Sequence, residues 1–535
     1  MQQAITSDAP VAATVSPTAS APVTLTADLA ATLTGIRRGI EKEGIRATAA
    51  ATLSDQPHPQ ALGAALTHPY ITTDFAEAQL ELITPAETDK QKTFAFLTTL
   101  HHTVAKQLPA GEVLWGASFP PRLPDESAIT IADYGQSNAG RLKKLYRQGL
   151  ANRYGRRMQT VSGIHYNFSL PEAFWQQLHQ QTGSELPLSA FISSRYFHLI
   201  RNALRHGWVV PYLFGASPAL DSSYLEGREH PLQALDNETF YLPWATSLRL
   251  SNLGYGSSEQ SQHAISYNNK AAYLNDLYRL LTLQSDGYAG IDAGEQVNTS
   301  VLQMENELYG AIRPKIVSED LRPLYAMCRK GVEYVELRSV DNNPYLPVGI
   351  DESQSHFLDA FLTYCALAPS PELEPEEMAI IQLRQELVAT EGRKPGLMLP
   401  TVDGAQPLVA MGESLLAAMQ PLAAALDSAY GMAEAGYQSS LQRQQDKFAD
   451  STLTPSAQLL ADLQRHGVSY RTFVLQLAQQ HHAVLQQAAV NADDVAQLQA
   501  LAVSSIAAQQ QKEAQDTLSF DDFLREKNTL SSTCE

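Results

Sequence analysis

The sequence predicts an α+β fold: a sheet of short strands, helices around it, and a helical C-terminal part. Three observations carry that reading. Several segments alternate apolar and polar residues with period two, as half-buried strands do. Segments between them repeat apolar residues every three to four positions, as helices do. After about Thr401 the chain is rich in Ala, Gln and Leu, and strand signals thin out.

Residues 1–25 are Ala, Thr, Ser, Pro and Val with almost no charge or aromatics, the composition of a flexible tail. Residues 26–400 read as the main globular part and 401–535 as a mainly helical region packed on it. In GIEKEGIR (39–46), Glu41 and Glu43 share a strand face. In AEAQLELIT (76–84), Glu77, Gln79 and Glu81 share one. Thr88 to Gln107 has helical spacing. In IHYNFSL (164–170), Ile164, Tyr166, Phe168 and Leu170 point one way and His165, Asn167 and Ser169 the other. Ser189 to His206 is a helix that Gly207 stops. Ser247, Arg249 and Ser251 alternate with Leu248 and Leu250. VLQMENELY (301–309) alternates most clearly, with Glu305 and Glu307 on one face. In VEYVELRS (332–339), Tyr334, Glu336 and Arg338 share a face. Thr454-Pro455 is a cap followed by proline in the first turn, Gly467 ends that helix, and Ser469 caps the next.

Composition excludes several classes. Apolar residues make up 44% and charged residues 18% of 535 residues, so a sizeable core can form. The net charge of −19 repels nucleic-acid phosphates and anionic lipid, so neither is expected as a partner. Three cysteines cannot build a disulfide framework or a four-thiolate zinc site. The first basic residue is Arg37, and no stretch nears the ~20 apolar residues of a spanning helix. A cytoplasmic setting is expected.

The strands share an oddity: Glu41, Glu43, Glu81, Glu336 and either Glu305 or Glu307 lie on polar faces, with His165 and Asp74 in neighbouring segments. If those faces converge, the carboxylates repel. Two unit charges 4 Å apart cost about 1 kcal/mol in water and about 4 kcal/mol at an effective dielectric of 20. Such a cluster shifts pKa values upward or demands cations. Many oxygens with one imidazole favour magnesium or manganese over zinc. Any one glutamate alone fits a solvated face better, since most glutamates are exposed; the repeated spacing of two is what weakens that reading for the set. Arg249, Arg338, Arg313 and Lys315 complement the acids. Singly, each fits structural ion pairing as well as anion binding; together they suggest metal-bridged phosphoryl chemistry. No phosphate-binding G-x-x-x-x-G-K-[ST] loop, G-x-G-x-x-G fingerprint, H-E-x-x-H or G-x-S-x-G motif is present.

The segments GIRRGIEKEGIR (35–46), LTHPYITTDFAEAQLELITP (66–85), YGQSNAGRLKKLYRQGLANRYGRRMQTVSGIHYNFSLP (134–171), YLPWATSLRLSNLGY (241–255), VLQMENELYGAIRPK (301–315) and GVEYVELRSVDNNPYLPVGID (331–351) add a family signature. In order and over most of 35–400, the sequence resembles the proteobacterial type of glutamate–cysteine ligase. The resemblance implies a glutamine-synthetase-like catalytic part, with a curved, mostly antiparallel sheet forming a funnel surrounded by helices. It implies ATP and magnesium (manganese as the alternative). The substrates would be L-glutamate and L-cysteine, joined through a γ-glutamyl phosphate by a monomeric enzyme. By matching position, Glu41, Glu43, Asp74, Glu81, His165 and Glu336 are implied as metal ligands, with Glu336 and Arg338 catalytic. Arg249 is implied as the glutamate-carboxylate clamp. Phe75, Tyr146, Leu150, Gln159, Tyr255 and Tyr309 are implied as the cysteine pocket. Arg313 and Lys315 are nucleotide-binding candidates from charge and placement. Two other readings keep the same residues: a carboxylate–amine ligase for another small amine, and a silent nucleotide- or glutamate-binding relative.

Overall fold

The computed structural model describes residues 23–254, 258–432, 434 and 436–532. The expected tail therefore lies outside the described residues up to position 22, as does the pocket candidate Tyr255. The main sheet has seven strands: β1 (Arg37–Thr48), β2 (Ile71–Thr73), β3 (Gln79–Ile83), β4 (Glu112–Leu114), β5 (Gly163–Ser169), β6 (Ile312–Lys315) and β7 (Tyr334–Asp341). They run β2-β3-β1-β5-β7-β6, with β4 paired to the far end of β1, and every pairing is antiparallel. The sheet is open, with β2 and β6 at its edges.

Period two decides what each face carries. Ile40, Ile164, Tyr166, Phe168, Val335 and Leu337 are buried in one core with Phe197 and Ile200 of α3 (Leu188–His206) and Phe357 and Phe361 of α4 (Glu352–Leu367). Each such side chain contributes about 1.5–3 kcal/mol by leaving water. The opposite face carries the acids, because Glu41, Glu43 and His165 alternate with that apolar set. Two more helices, α1 (Lys90–Gln107) and α2 (Asn138–Tyr154), flank the sheet.

One polar knot lies inside the apolar side. The Arg38 Nε and the Lys90 Nζ lie 3.1 and 3.0 Å from one oxygen of Asp359, and Tyr166 donates to its other oxygen at 2.7 Å. Burial alone would raise the Asp359 carboxyl, but Arg38, Lys90 and the hydroxyl donors outweigh it and hold its pKa below the usual value. Asp359→Ala leaves two buried cations without their anion. It is expected to cost about 3–5 kcal/mol in urea unfolding; a loss under about 1 kcal/mol would show that water replaces the carboxylate.

The C-terminal part is helical as expected: α5 (Leu408–Tyr430), α6 (Pro455–His466), α7 (Tyr470–Gln486), α8 (Ala492–Gln515) and α9 (Phe520–Asn528). Thr454 caps α6 by accepting from the Ala457 N–H, Gly467 ends it at φ +59°, and Ser469 caps α7. α5 is long and apolar enough to cross a membrane by length and composition, unlike the expectation. Its Leu415, Leu416, Met419 and Leu422 pack into the main core. A hairpin, Met398–Thr401 with Gly404–Pro407, was not expected from the sequence.

Two expected strands are corrected. Residues 301–309 form a loop with a 3-10 turn at Glu305–Glu307. Glu305 pairs with Arg322 and Glu307 with Arg153, and the Gln303 N–H donates to Glu307 at 2.6 Å. The local Gln303–Glu307 bond and these two ion pairs to distant segments take the place of ladder pairing. Leu248–Leu250 is likewise a 3-10 turn, with Ser247 bonded to Asp341 and Ser251 to the Leu248 carbonyl. Glu77 leaves the face expected for it: β3 starts at Gln79, and the Glu77 carboxylate accepts from the His58 and Asp133 N–H groups. The helical His101 is buried, with Nδ1 at 2.8 Å from the Leu97 carbonyl.

Candidate active site

Strand register gathers the acids. Glu41 lies opposite His165, Glu43 opposite Glu81, and Glu336 opposite both Asn167 and Arg313. Cross-strand partners of an antiparallel pair share a face, so these side chains stand side by side. His165 Nδ1 is 3.1 Å from Glu41 and 3.6 Å from Glu336, and its Nε2 is 3.4 Å from Glu43. Asn167 donates to Glu41 at 2.8 Å. The Gly163 N–H donates to Glu43 at 2.7 Å. Glycine at 163 leaves room for the Arg249 guanidinium, which a Cβ there would displace.

The pairing of β5 with β7 shifts between Leu337 and Val340. Such an irregularity re-aims side chains, and it falls at Arg338. The Arg338 Nη1 lies 3.4 Å from Glu336 and 3.4 Å from His165 Nδ1, and Lys315 Nζ is also 3.4 Å from Glu336. These groups open on a cavity of about 300 Å3.

Helix α2 forms the facing wall. Ser137 caps it by accepting from the Gly140 N–H. Leu142, Lys143, Tyr146, Arg147 and Leu150 line the cavity at helical spacing. Phe75 and Gln159 complete that side, and Gln159 donates to the Tyr309 hydroxyl at 3.1 Å.

The electrostatics split the acids. Burial opposes the charge of Glu336, but Arg338, Lys315, His165 and Arg313 hold its pKa well below the carboxylate range. Burial and the Glu336 charge also oppose Glu41, but the hydrogen bond and charge of His165 together with Lys315 outweigh them, so its pKa is lowered. Glu43 is raised by burial and by Asp74. Glu81 is raised far more, by burial and the charges of Glu41, Asp74 and Glu43. On the opposite wall, burial and Arg147 bring Lys143 down to about 8.

That is a carboxylate cluster short of positive charge. One donor atom each from Glu41, His165 and Glu336 lies within 4.8 Å of the others, and the buried Glu336 Oε2 has no hydrogen-bond partner. Several carboxylate oxygens and one imidazole suit magnesium or manganese, so the residues present fit such ions.

Of the sequence candidates, Glu41, Asp74, Phe75, Glu81, Tyr146, Leu150, Gln159, His165, Arg313, Lys315, Glu336 and Arg338 line this one cavity. Glu43 stands behind His165. Tyr309 reaches the wall through Gln159. Arg249 is not among the lining residues: it is buried against Gly163, at 3.4 Å from Asp341 and donating to the Arg338 carbonyl at 2.8 Å. Lys143, Arg147, Leu142, Met304 and Asn306 line the cavity without having been singled out. Lys143 and Arg147 were findable: they flank Tyr146 at the i−3 and i+1 positions of a helix whose face Tyr146 and Leu150 already mark.

Known proteins are similar to this chain. The family model described as glutamate-cysteine ligase matches residues 24–388. A glutamate–cysteine ligase of Azotobacter vinelandii is 49% identical over 495 residues, covering 91% of this chain and 93% of its own. One from Alcanivorax borkumensis is 44% identical over 513 residues, covering 94% and 97%. The solved glutamate–cysteine ligase of Francisella tularensis, in complex with AMP, is 32% identical. It matches with a TM-score of 0.86 over 92% of this chain and 97% of that one.

Proposed function

The chain belongs to the glutamate–cysteine ligase family, and from that premise we propose how its cavity joins L-glutamate to L-cysteine with ATP. A carboxylate is a poor acyl donor because oxide is a poor leaving group. The γ-carboxylate oxygen of glutamate attacks the γ-phosphorus of ATP; the bond to the β–γ bridging oxygen breaks and ADP leaves. The amine nitrogen of cysteine then attacks the γ-carbon of the γ-glutamyl phosphate. The C–N bond forms, the nitrogen releases a proton to solvent, the C–O bond to phosphate breaks, and γ-glutamylcysteine and phosphate result.

Each side of the cavity has a part in this. Arg338, Lys315 and Arg313 set three cations beside the acids, where they neutralise charge on the transferring phosphoryl oxygens. Glu41, Glu43, Asp74, Glu81, His165 and Glu336 would hold magnesium. Bound magnesium supplies neutralisation of this cluster and of the nucleotide phosphates. Phe75, Tyr146 and Leu150 give the amine substrate an apolar wall, with Gln159 as its polar contact. Burial of that wall limits the water able to hydrolyse the acyl phosphate.

The observation that carries this reading is the convergence of six acidic or imidazole side chains and three cations on one sheet face. The test is to incubate pure protein with MgATP, L-glutamate and a panel of amines, following ADP and product mass. L-cysteine is expected to give the highest kcat/KM, with 2-aminobutyrate a weaker substrate. ADP without an amide product, or preference for an unrelated amine, would contradict it.

A further inference from the structure

The helix that lines the cavity has a second side, and the end of the chain covers it. Leu142, Leu145 and Val297 form a small apolar cluster that Phe520, Phe523 and Leu524 of α9 complete. The Arg141 guanidinium lies 4.1 Å over the Phe520 ring. The start of α2 is held by the same arm. The Asn138 N–H donates to Asp516, the Asn138 side chain donates to the Leu518 carbonyl at 3.0 Å, and the Gln136 N–H donates to Glu513 at 2.8 Å. Gly135, at φ +78°, allows this approach, since a Cβ there would collide with Gln509 and Glu513.

The arm is pinned further along as well. Arg322 donates to the Lys527 carbonyl at 2.7 Å, and Asn528 to the Val297 carbonyl at 2.8 Å. Yet α9 has no fully buried residue. It is held by half-buried rings and surface hydrogen bonds, the marks of a locally weak element. What it holds is not peripheral. Leu142 and Tyr146 touch the arm's cluster on one side and the cavity on the other. Tyr134, beside Gly135, donates its hydroxyl to the Thr73 carbonyl at 2.8 Å, and Arg147 donates to the Asp74 carbonyl. A shift of α2 therefore also moves Asp74 and Phe75.

We propose that the C-terminal arm, residues 509–531, is a clamp that sets the amine-side wall of the cavity, with Phe520 and Phe523 as positioning residues. The inference rests on the proposed reading in which Phe75, Tyr146 and Leu150 receive the amine substrate. Misplacing a reactant by 1 Å can cost about 100-fold. Losing two ring contacts loosens the wall without removing it, so a smaller effect is expected.

The test compares the full-length protein with the Phe520→Ala/Phe523→Ala double variant and with Phe523→Leu. L-cysteine, L-glutamate and ATP are each varied, and hydrogen exchange is followed over 138–150 and 520–528. The double variant should exchange faster in both segments and raise the cysteine KM about fivefold or more, with kcat and the other KM values within about twofold. Phe523→Leu should restore most of the affinity. An unchanged cysteine KM with a detached α9, unchanged exchange at α9, or a uniform loss with a lower melting temperature would each overturn the clamp. A rise in the glutamate or ATP KM instead would support the clamp and contradict the placing of the amine against α2.

Discussion

Glu336→Gln is expected to lower ADP release by at least about 100-fold at saturating substrates, the scale of a damaged metal site. The substitution keeps shape and removes one charge. That charge has three cationic or protonatable neighbours, Arg338, Lys315 and His165, within 3.4 to 3.6 Å. Without it, Arg338 and Lys315 lose an anion 3.4 Å away, and the Glu41–His165–Glu336 set loses a charged oxygen donor. The fold should persist, since the apolar side of β7 is untouched. The half-saturating magnesium concentration should rise together with the loss of rate. Near-normal turnover at saturating magnesium would remove Glu336 from the metal set.

Arg338→Lys is expected to cut kcat by roughly tenfold or more, the scale of one lost charged hydrogen bond, with only a modest change in the glutamate KM. Lysine keeps the charge and loses the planar fork. A contact that strengthens as phosphoryl charge moves appears in kcat, whereas one made equally in ground and transition states appears in KM. Steady-state ADP production with glutamate varied separates the two. A raised glutamate KM with unchanged kcat would give Arg338 the carboxylate-gripping role that the family resemblance implies for Arg249.

The contrast between Arg249 and Arg338 shows where sequence reading reached and where it stopped. Alternation in β1 and β5 was enough to put Glu41, Glu43 and His165 on one face, because period two is a local property of the chain. The same alternation over 301–309 misled. Glu305 and Glu307 answer to Arg322 and Arg153, and nothing in the local pattern reveals partners that distant. Arg249 alternates with leucines as a strand residue would, yet it sits in a turn packed against Gly163, a neighbour that only the folded structure defines. Lys143 and Arg147 are a different case: their helical spacing from Tyr146 and Leu150 was legible in the sequence, whereas the contact of Leu142 and Leu145 with the C-terminal arm was not.

In the proposed reaction this cavity activates the γ-carboxylate of glutamate as an acyl phosphate. Glutamate labelled with 18O in that carboxylate, incubated with MgATP and L-cysteine, tests it by the mass of the released phosphate. Transfer of one labelled oxygen to phosphate in each turnover is the expected result. Unlabelled phosphate formed alongside γ-glutamylcysteine would contradict it.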